Sequence, residues 1–268
     1  MMDEVFEYTR DLDHLTSSGA KLILKSERLL YNRYGPDASD DKKTPAMLLG
    51  TAAHLLLLNG EDTFRKVCRL NPHPSKRSKV FNEWLEQEGC DPDMVFSPED
   101  WDKLHRMRDA LREPSNTAYN ALADELLSGG AAERTFKWVD GETGCPCKAR
   151  FDYVAPGADR LVDLKTTRSA HPSDFGKAVI GYQYYLSAEF YKLGYEDSYL
   201  SLPDFYWVAV ESDGSHVEVY EPREIHQSKG LSESRDAMRL FMDAKERNFV
   251  GGYNETQLGI LEVPTWFR

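Results

Sequence analysis

The stretch RFDYVAPGADRLVDLKTT, residues 150–167, decides the fold. It holds two acids near the ends of successive predicted strands, Asp152 and Asp163, and a lysine two positions after the second acid, Lys165. Because side chains alternate along a strand, Asp163 and Lys165 point to the same face while Leu164 turns into the core. The stretch therefore predicts a pair of carboxylates and an ammonium group brought together by two strands.

The sequence around this stretch predicts an α/β sheet. Residues 134–139 alternate in polarity, residues 140–144 have a turn composition, and the chain returns as a strand over 147–154, which indicates a β-hairpin. The further predicted strands are residues 160–166, 205–210 and 216–220, and the further predicted helices are residues 173–193 and 222–249. This order favours a sheet core flanked by helices.

The first 130 residues are predicted to be mainly helical, with helices up to Tyr34, from Pro45 to Leu58, and over residues 97–127. Between them, residues 65–79 contain several cations and no acid. The prolines of this basic segment predict an extended loop. Its cations are Arg65, Lys66, Arg69, Lys76, Arg77 and Lys79.

Composition excludes several classes of protein. With 268 residues, 41% of them hydrophobic and 12% aromatic, the chain can build a large core. The most apolar stretch, residues 47–58, is too short to span a membrane. The acidic amino terminus does not resemble a signal peptide, so we expect a cytoplasmic protein. The four cysteines fit neither a zinc module nor a disulfide framework.

Carboxylates beside a lysine are what a metal-dependent phosphodiesterase needs. Hard oxygen ligands hold Mg²⁺, which activates water and neutralises the charge that develops on the phosphate. A nearby ammonium group assists. Taken alone, an Asp-x-Lys triplet is equally well explained as an ion pair at a strand edge. His54 lies inside an apolar helix and, taken alone, is equally well explained as a core histidine whose hydrogen bonds are satisfied. The order of His54, the acidic hairpin that begins at Glu133, and Asp-x-Lys favours the catalytic interpretation.

In this order and spacing the chain resembles the PD-(D/E)XK nuclease superfamily, and within it the carboxy-terminal nuclease domain of exonuclease VIII (RecE-type). The matching segments are residues 50–58, 133–152, 163–167 and 175–191. The resemblance implies a restriction-endonuclease-like central mixed β-sheet flanked by helices, with a helical amino-terminal third. It also implies a magnesium-dependent exonuclease that digests one strand of linear duplex DNA from the 5′ end and leaves a 3′ single strand for annealing.

The resemblance implies roles for individual residues. The implied metal ligands are His54, Asp152, Asp163 and the carbonyl of Leu164. Lys165 would be the catalytic lysine, and Glu133 would be an accessory acid at the metal or the attacking water. Two Mg²⁺ ions are implied, with Mn²⁺ as a possible substitute.

One position departs from the family pattern. The family places Tyr-x-x-Gln on the helix after the Asp-x-Lys strand, and here a serine, Ser187, stands in place of the glutamine that should follow Tyr184. Gln183 lies one helical turn before Ser187, so the sequence predicts that Gln183 takes over its role and that Gln183 and Tyr184 face the site.

DNA binding has to be reconciled with a net charge of −12. Backbone binding rests on neutralised phosphates, whereas salt screens charges beyond roughly 10 Å at 0.1 M. A local basic patch can therefore act apart from an acidic exterior. The predicted DNA contacts are Arg65, Lys66, Lys76, Arg77, Lys79, Arg150 and Tyr184.

We expect a single nuclease domain over residues 1–268, with a helical part (1–130), a β-rich catalytic core (131–220), and a carboxy-terminal helix and tail (221–268). The expected partners are duplex DNA ends and a RecT-like single-strand annealing protein. The resemblance also suggests a homo-oligomeric ring, and no membrane association is expected. The role of the tail, residues 253–268, stays open between a docking segment and a closure of the sheet.

Two alternatives stay open. One is a RecB-like or Cas4-like nuclease of other polarity, although the chain lacks the cysteine cluster of Cas4-like proteins. The other is a catalytically inactive module that binds DNA ends, for which the serine at position 187 leaves room.

Overall fold

The computed structural model describes residues 11–38, 43–73, 75–157, 159–249 and 251. The acidic amino terminus and the tail over residues 253–268 lie outside the described residues. The helices are α1 Ser17–Ile23, α2 Glu27–Tyr34, α3 Pro45–Asn59, α4 Glu61–Val67, α5 Lys79–Glu88, α6 Pro98–Arg112, α7 Ala121–Leu126, α8 Pro172–Gly181, α9 Tyr184–Tyr199 and α10 Glu224–Glu246. The strands are β1 Arg69–Leu70, β2 Val95–Phe96, β3 Ala131–Val139, β4 Pro146–Val154, β5 Arg160–Thr167, β6 Asp204–Glu211 and β7 Val217–Tyr220.

Five strands form one mixed sheet in the order β3-β4-β5-β6-β7. Strands β5 and β6 run parallel, and the other neighbouring pairs are antiparallel. The parallel connection needs a crossover, which α8 and α9 supply. This mixed sheet with flanking helices confirms the predicted fold class.

Helices cover both faces of the sheet and bury two apolar clusters. On one face, α1, α9 and α10 pack together around residues such as Phe190 and Phe241. On the other face, α3 and α6 cover Val162, Leu164 and Val208. The central strand β5 therefore lies between two helical layers. A polar side chain buried on this strand costs free energy unless it forms a hydrogen bond or an ion pair.

Three predicted elements differ from the structure. The helix expected over residues 173–193 is two helices, because Gln183 adopts a left-handed conformation with φ of 52° and interrupts the hydrogen-bonding pattern. The helix expected over 97–127 is α6 and α7 with an irregular link between them. The basic segment is a loop only in part, since residues 65–67 belong to α4, residues 69–70 form β1 and α5 begins at Lys79, while the described residues between β1 and α5 lie outside helices and strands.

Among the described residues, none of the helices is both long and apolar enough to cross a bilayer. The longest of them, α10, carries many charged side chains along its length. The prediction that the apolar stretch around His54 is no membrane span agrees with this, because α3 lies against the sheet instead.

Candidate metal and catalytic site

The site lies where β4 and β5 separate. The two strands pair only at Tyr153↔Val162 and Val154↔Leu161. Beyond these pairs, the side chain of Asp152 reaches across, and its Oδ2 accepts a hydrogen bond of 3.0 Å from the backbone N–H of Leu164. The separation of the strands thus makes room for polar side chains within the sheet.

Asp163 and Lys165 project from the same face of β5, as strand alternation predicts. Lys165 Nζ lies 2.5 Å from Asp163 Oδ1 and 3.9 Å from Asp152 Oδ2, while Leu164 is fully buried on the other face. Burial lowers the pKa of Lys165, but the two carboxylates outweigh this effect and raise the pKa above its ordinary value. Lys165 is therefore held as an ammonium ion between the two acids.

One carboxylate oxygen of Asp163 lacks a hydrogen-bond donor among the described residues. This atom, Oδ2, is buried. Burial, together with the charge of Asp152, raises the pKa of Asp163 to about 6, although Lys165 opposes the shift. A buried, unsatisfied carboxylate oxygen costs about 1–3 kcal/mol or more. A cation placed here would satisfy it.

His54 comes to the site from α3. This helix approaches β5 closely at Gly50, where a Cβ atom would lie 3.3 Å from Thr166 Oγ1. His54 Nδ1 is 3.8 Å from Asp152 Oδ1, and the imidazole bonds the Leu164 carbonyl. Burial and the charge of Lys165 lower the pKa of His54 to about 4. The ring is therefore neutral at physiological pH, which is the form that binds metals.

Glu133 is positioned by a kink in the edge strand β3. Glu133 lies opposite Asp152 in the hairpin. The neighbouring residues on both strands are paired, but Glu133 and Asp152 are not. Glu133 has a φ of 54°, a conformation that costs a non-glycine residue about 1–2 kcal/mol. Its Oε2 lies 2.7 Å from Arg150 Nε. Burial raises the pKa of Glu133, and Arg150 opposes the shift. Such strain at a polar cluster is typical of functional sites.

These side chains form a set suited to a divalent cation. His54, Glu133 and Asp152 each offer one ligand atom, and the three atoms lie within 4.8 Å of one another. Carboxylate oxygens suit Mg²⁺ and Mn²⁺, and a neutral imidazole suits transition metals. The unsatisfied oxygen of Asp163 adds an independent indication. The residues present therefore fit a divalent metal, with the Leu164 carbonyl beside His54.

An open cleft of about 560 Å³ gives access to this cluster. His54, Glu133 and Arg150 line it together with Lys43. Arg150, predicted to contact DNA, is thus in the cleft, but its guanidinium bonds Glu133. Val67 of the basic segment, Asp91 and Met94 also line the cleft.

The structure separates the two residues expected to replace the family's Tyr-x-x-Gln pair. The ring of Tyr184 lies against the site, with its centroid 5.0 Å from Lys165 Nζ. Gln183 is the N-cap of α9 and adopts the left-handed conformation, with no side-chain capping bond. The expectation that Gln183 occupies the same helical face as Ser187 is therefore wrong, because the helix begins only after it. Ser187 itself is buried.

Three further residues lie near the site. The hydroxyl of Tyr191 accepts a 3.2 Å hydrogen bond from Ser17, and burial together with Asp163 and Asp152 raises its pKa. Lys21 lies 5.6 Å from the centroid of the Tyr184 ring. Tyr191 follows Tyr184 by two helical turns and could have been inferred from that spacing. No sequence signal connects Ser17 or Lys21 with strands far along the chain.

Most cations of the basic segment have partners close by. Arg65, Arg69 and Lys79 form ion pairs with glutamates, and Lys76 donates to two backbone carbonyls. The paired glutamates are Glu61, Glu88 and Glu83, respectively. Lys66 and Arg77 form no ion pair with a described carboxylate. These two residues therefore carry most of the charge that the segment can offer to DNA.

Comparison with known families identifies the fold. Residues 16–255 match the model of a family described as a PDDEXK-like domain of unknown function (DUF3799). The chain belongs to this family. The match runs from α1 through α10 and includes every residue of the site. The predicted membership of the PD-(D/E)XK superfamily is thus confirmed, and membership of a PDDEXK-like family supports a nuclease.

A solved structure of similar fold is known. The chain is similar to a protein from Eubacterium rectale described as a "putative exonuclease", with a TM-score of 0.68 and 13% sequence identity over 98% of this chain and 95% of that one. At this identity the likeness establishes the fold alone. The protein SSO0001 aligns with 41% of this chain and 50% of its own, at 15% identity and a TM-score of 0.29, too little to support an argument. No curated protein matches the chain.

Proposed function

We propose that this PDDEXK-like protein is a metal-dependent exodeoxyribonuclease that degrades linear duplex DNA from the 5′ end and leaves 3′ single-stranded overhangs. The observation that carries the proposal is the meeting of His54, Glu133 and Asp152 with the Asp163–Lys165 pair at one opening of the sheet. The cleft over this cluster is open to solvent and can admit a polymer. The 5′ polarity rests on the resemblance to exonuclease VIII.

Each residue has a distinct task in this mechanism. His54, Glu133, Asp152, Asp163 and the Leu164 carbonyl would hold the metal. A bound divalent cation supplies charge neutralisation at phosphate oxygens and activates water for attack. Lys165 is fixed by Asp163 and Asp152, so its ammonium group can orient a water molecule or stabilise charge on the phosphate. Arg150 holds the carboxylate of Glu133 in place.

The identity of the metal and the partners belong to the same proposal. Mg²⁺ is the expected ion, because three carboxylates and a carbonyl are hard ligands, and Mn²⁺ should substitute because it tolerates the imidazole. Two ions are expected. Annealing of the overhangs calls for a RecT-like single-strand annealing protein, and a homo-oligomeric ring around the DNA would provide processivity.

End-labelled DNA tests this proposal. Linear duplex carrying a label at either the 5′ or the 3′ end, and a covalently closed circle of the same sequence, are incubated with the protein and Mg²⁺. We expect early release of the 5′ label, late release of the 3′ label, and an intact circle. Early release of the 3′ label would support the nuclease of other polarity. Binding of ends without release, with either Mg²⁺ or Mn²⁺, would support the inactive end-binding module.

Charge reversal in the basic segment yields a separate prediction. Arg77→Glu should weaken DNA binding and reduce the slope of log Kd against log salt by about one, because one phosphate contact is lost. Lys229→Glu is the matched control with the same kind of charge change, since Lys229 lies on α10 outside the basic segment, paired with Glu233. Fluorescence anisotropy at several salt concentrations measures both. An unchanged slope for Arg77→Glu would remove this segment from the interface.

A further inference from the structure

A second basic surface, which shares no lining residue with the cleft, lies between α1 and α2. Helices α1 and α2 form a groove of about 560 Å³ lined by Ser18, Lys21, Lys25, Asn32 and Arg33. No acidic side chain lines this groove among the described residues. In a chain of net charge −12, a groove with three basic side chains and no acid is a local reversal of charge.

The groove is continuous with the site through Tyr184. Lys165 and Lys21 both lie close to the ring of this tyrosine, at 5.0 and 5.6 Å from its centroid. Their ammonium groups are therefore no more than about 11 Å apart. Successive phosphates of one DNA strand advance by about 3.4 Å along the axis, so a strand with a phosphate at Lys165 has others within reach of Lys21.

Helix α1 is held firmly enough against the site for this contact. Ser17 donates a hydrogen bond to Tyr191, which lies beside Asp163 and Asp152. Ala20 and Ile23 are buried in the core against the sheet. Lys21 therefore lies half-buried in α1, and Lys25 follows in the exposed turn between α1 and α2, where it also lines the groove.

Lys21 and Lys25 are available to an anion. Neither forms an ion pair with a described carboxylate. Burial, reinforced by the positive charge of Lys165, lowers the pKa of Lys21 to about 8. Asp163 opposes this shift only in part, and an incoming phosphate would add negative charge beside the two lysines and relieve their repulsion.

We propose that the α1–α2 groove binds the phosphate backbone of one DNA strand next to the phosphate that is cleaved, with Lys21 and Lys25 as its principal contacts. The proposal rests on the proposed function, because the strand is the one that the site cuts. The occupant is a polymer, since the basic side chains follow one another along the groove away from Lys165. A free phosphate or mononucleotide would need only one of them.

The test uses the full chain, a fluorescein-labelled single-stranded oligonucleotide, and EDTA to prevent cleavage. Lys25→Glu should weaken binding about tenfold at about 100 mM salt and reduce the salt slope by about one. Lys229→Glu is the control with the same charge change, since Lys229 lies on α10, paired with Glu233. Equal affinity and slope for the two variants would overturn the proposal. A competing mononucleotide that displaces the oligonucleotide equally from the wild type and from Lys25→Glu would also overturn it.

Cleavage assays separate this proposal from the proposed function. With Mg²⁺, Lys25→Glu should cut slowly at low DNA concentration and approach the wild-type rate at saturation, because the chemistry at Lys165 is intact. If the wild type binds DNA more tightly than Lys25→Glu but releases no nucleotides, the proposed nuclease activity is wrong and the proposed DNA binding by the groove is supported. If Lys25→Glu degrades DNA as fast as the wild type at every DNA concentration, the role of the groove in DNA binding is wrong and the proposed nuclease activity is unaffected.

Discussion

Replacement of Lys165 by alanine is expected to lower the rate of DNA cleavage by a factor of about 10²–10⁴, the range found when a group that acts in the transition state is removed. The ammonium group is the one cation bonded to both Asp163 and Asp152, at 2.5 and 3.9 Å. Lys21 does not replace it, because Lys21 lines the groove and forms no ion pair with a described carboxylate.

The rate should be measured as initial release of acid-soluble nucleotides from linear duplex at saturating DNA and Mg²⁺. Lys165→Ala leaves two neighbouring buried acids without their cation, so its fold must be checked by thermal unfolding. Lys165→Gln keeps most of the volume and provides a second variant. Lys229→Ala serves as the control for removal of a lysine. If either Lys165 variant is folded and retains more than about a tenth of the wild-type rate, the catalytic role of Lys165 is wrong.

The second large effect is expected on metal binding. Asp152→Asn keeps the shape of the side chain, and its amide oxygen can still accept the bond from the Leu164 N–H, but one negative charge is lost from the His54, Glu133 and Asp152 cluster. We expect the Mg²⁺ concentration for half-maximal cleavage to rise by at least tenfold, since a carboxylate ligand is replaced by a neutral one.

Direct binding makes this second prediction independent of catalysis. Titration calorimetry with Mn²⁺ should show tight binding to the wild type and weakened binding to Asp152→Asn. Asp174→Asn is a matched control, because Asp174 is an exposed acid whose pKa is lowered by its bond to Lys177 outside the cluster. Equal Mn²⁺ affinity in Asp152→Asn and the wild type would show that Asp152 is not a ligand.

The centre of the site could be read from the sequence because its geometry is local. Alternation along β5 fixes Asp163 and Lys165 on one face, and the turn at residues 140–144 fixes the hairpin that carries Asp152. The strand pattern over residues 150–167 therefore predicts the pair correctly. His54 needed the resemblance, because a histidine in an apolar helix has no periodic signal that separates a ligand from a core residue.

The parts that could not be predicted depend on contacts between distant segments. The break at Gln183 has no glycine or proline at the residue itself, so the sequence gives no local signal for its left-handed φ of 52°. Lys21 meets Tyr184 across more than 160 positions of sequence. In the basic segment, Ser78 is a local signal for the start of a helix, but the prolines of the segment led to the prediction of an extended loop. Ser78 caps α5 by accepting a hydrogen bond from Phe81 N–H.

The kink at Glu133 shows why sequence placed this residue but not its conformation. Its carboxylate was expected at the site from its position in the hairpin. Its φ of 54° occurs where the pairing with β4 is interrupted opposite Asp152 and where Glu133 forms its ion pair with Arg150. A preference of about 1–2 kcal/mol against this conformation is small compared with the interactions that oppose it.

The central claim is that this cluster hydrolyses DNA with a divalent metal. The most direct measurement is the release of acid-soluble nucleotides from linear duplex DNA by the purified wild type, first in Mg²⁺, then after EDTA, and again after Mg²⁺ is restored in excess. We predict release in Mg²⁺, none in EDTA, and recovery on restoration. Release that continues undiminished in EDTA, or no release with either Mg²⁺ or Mn²⁺ by a folded protein, would contradict the claim.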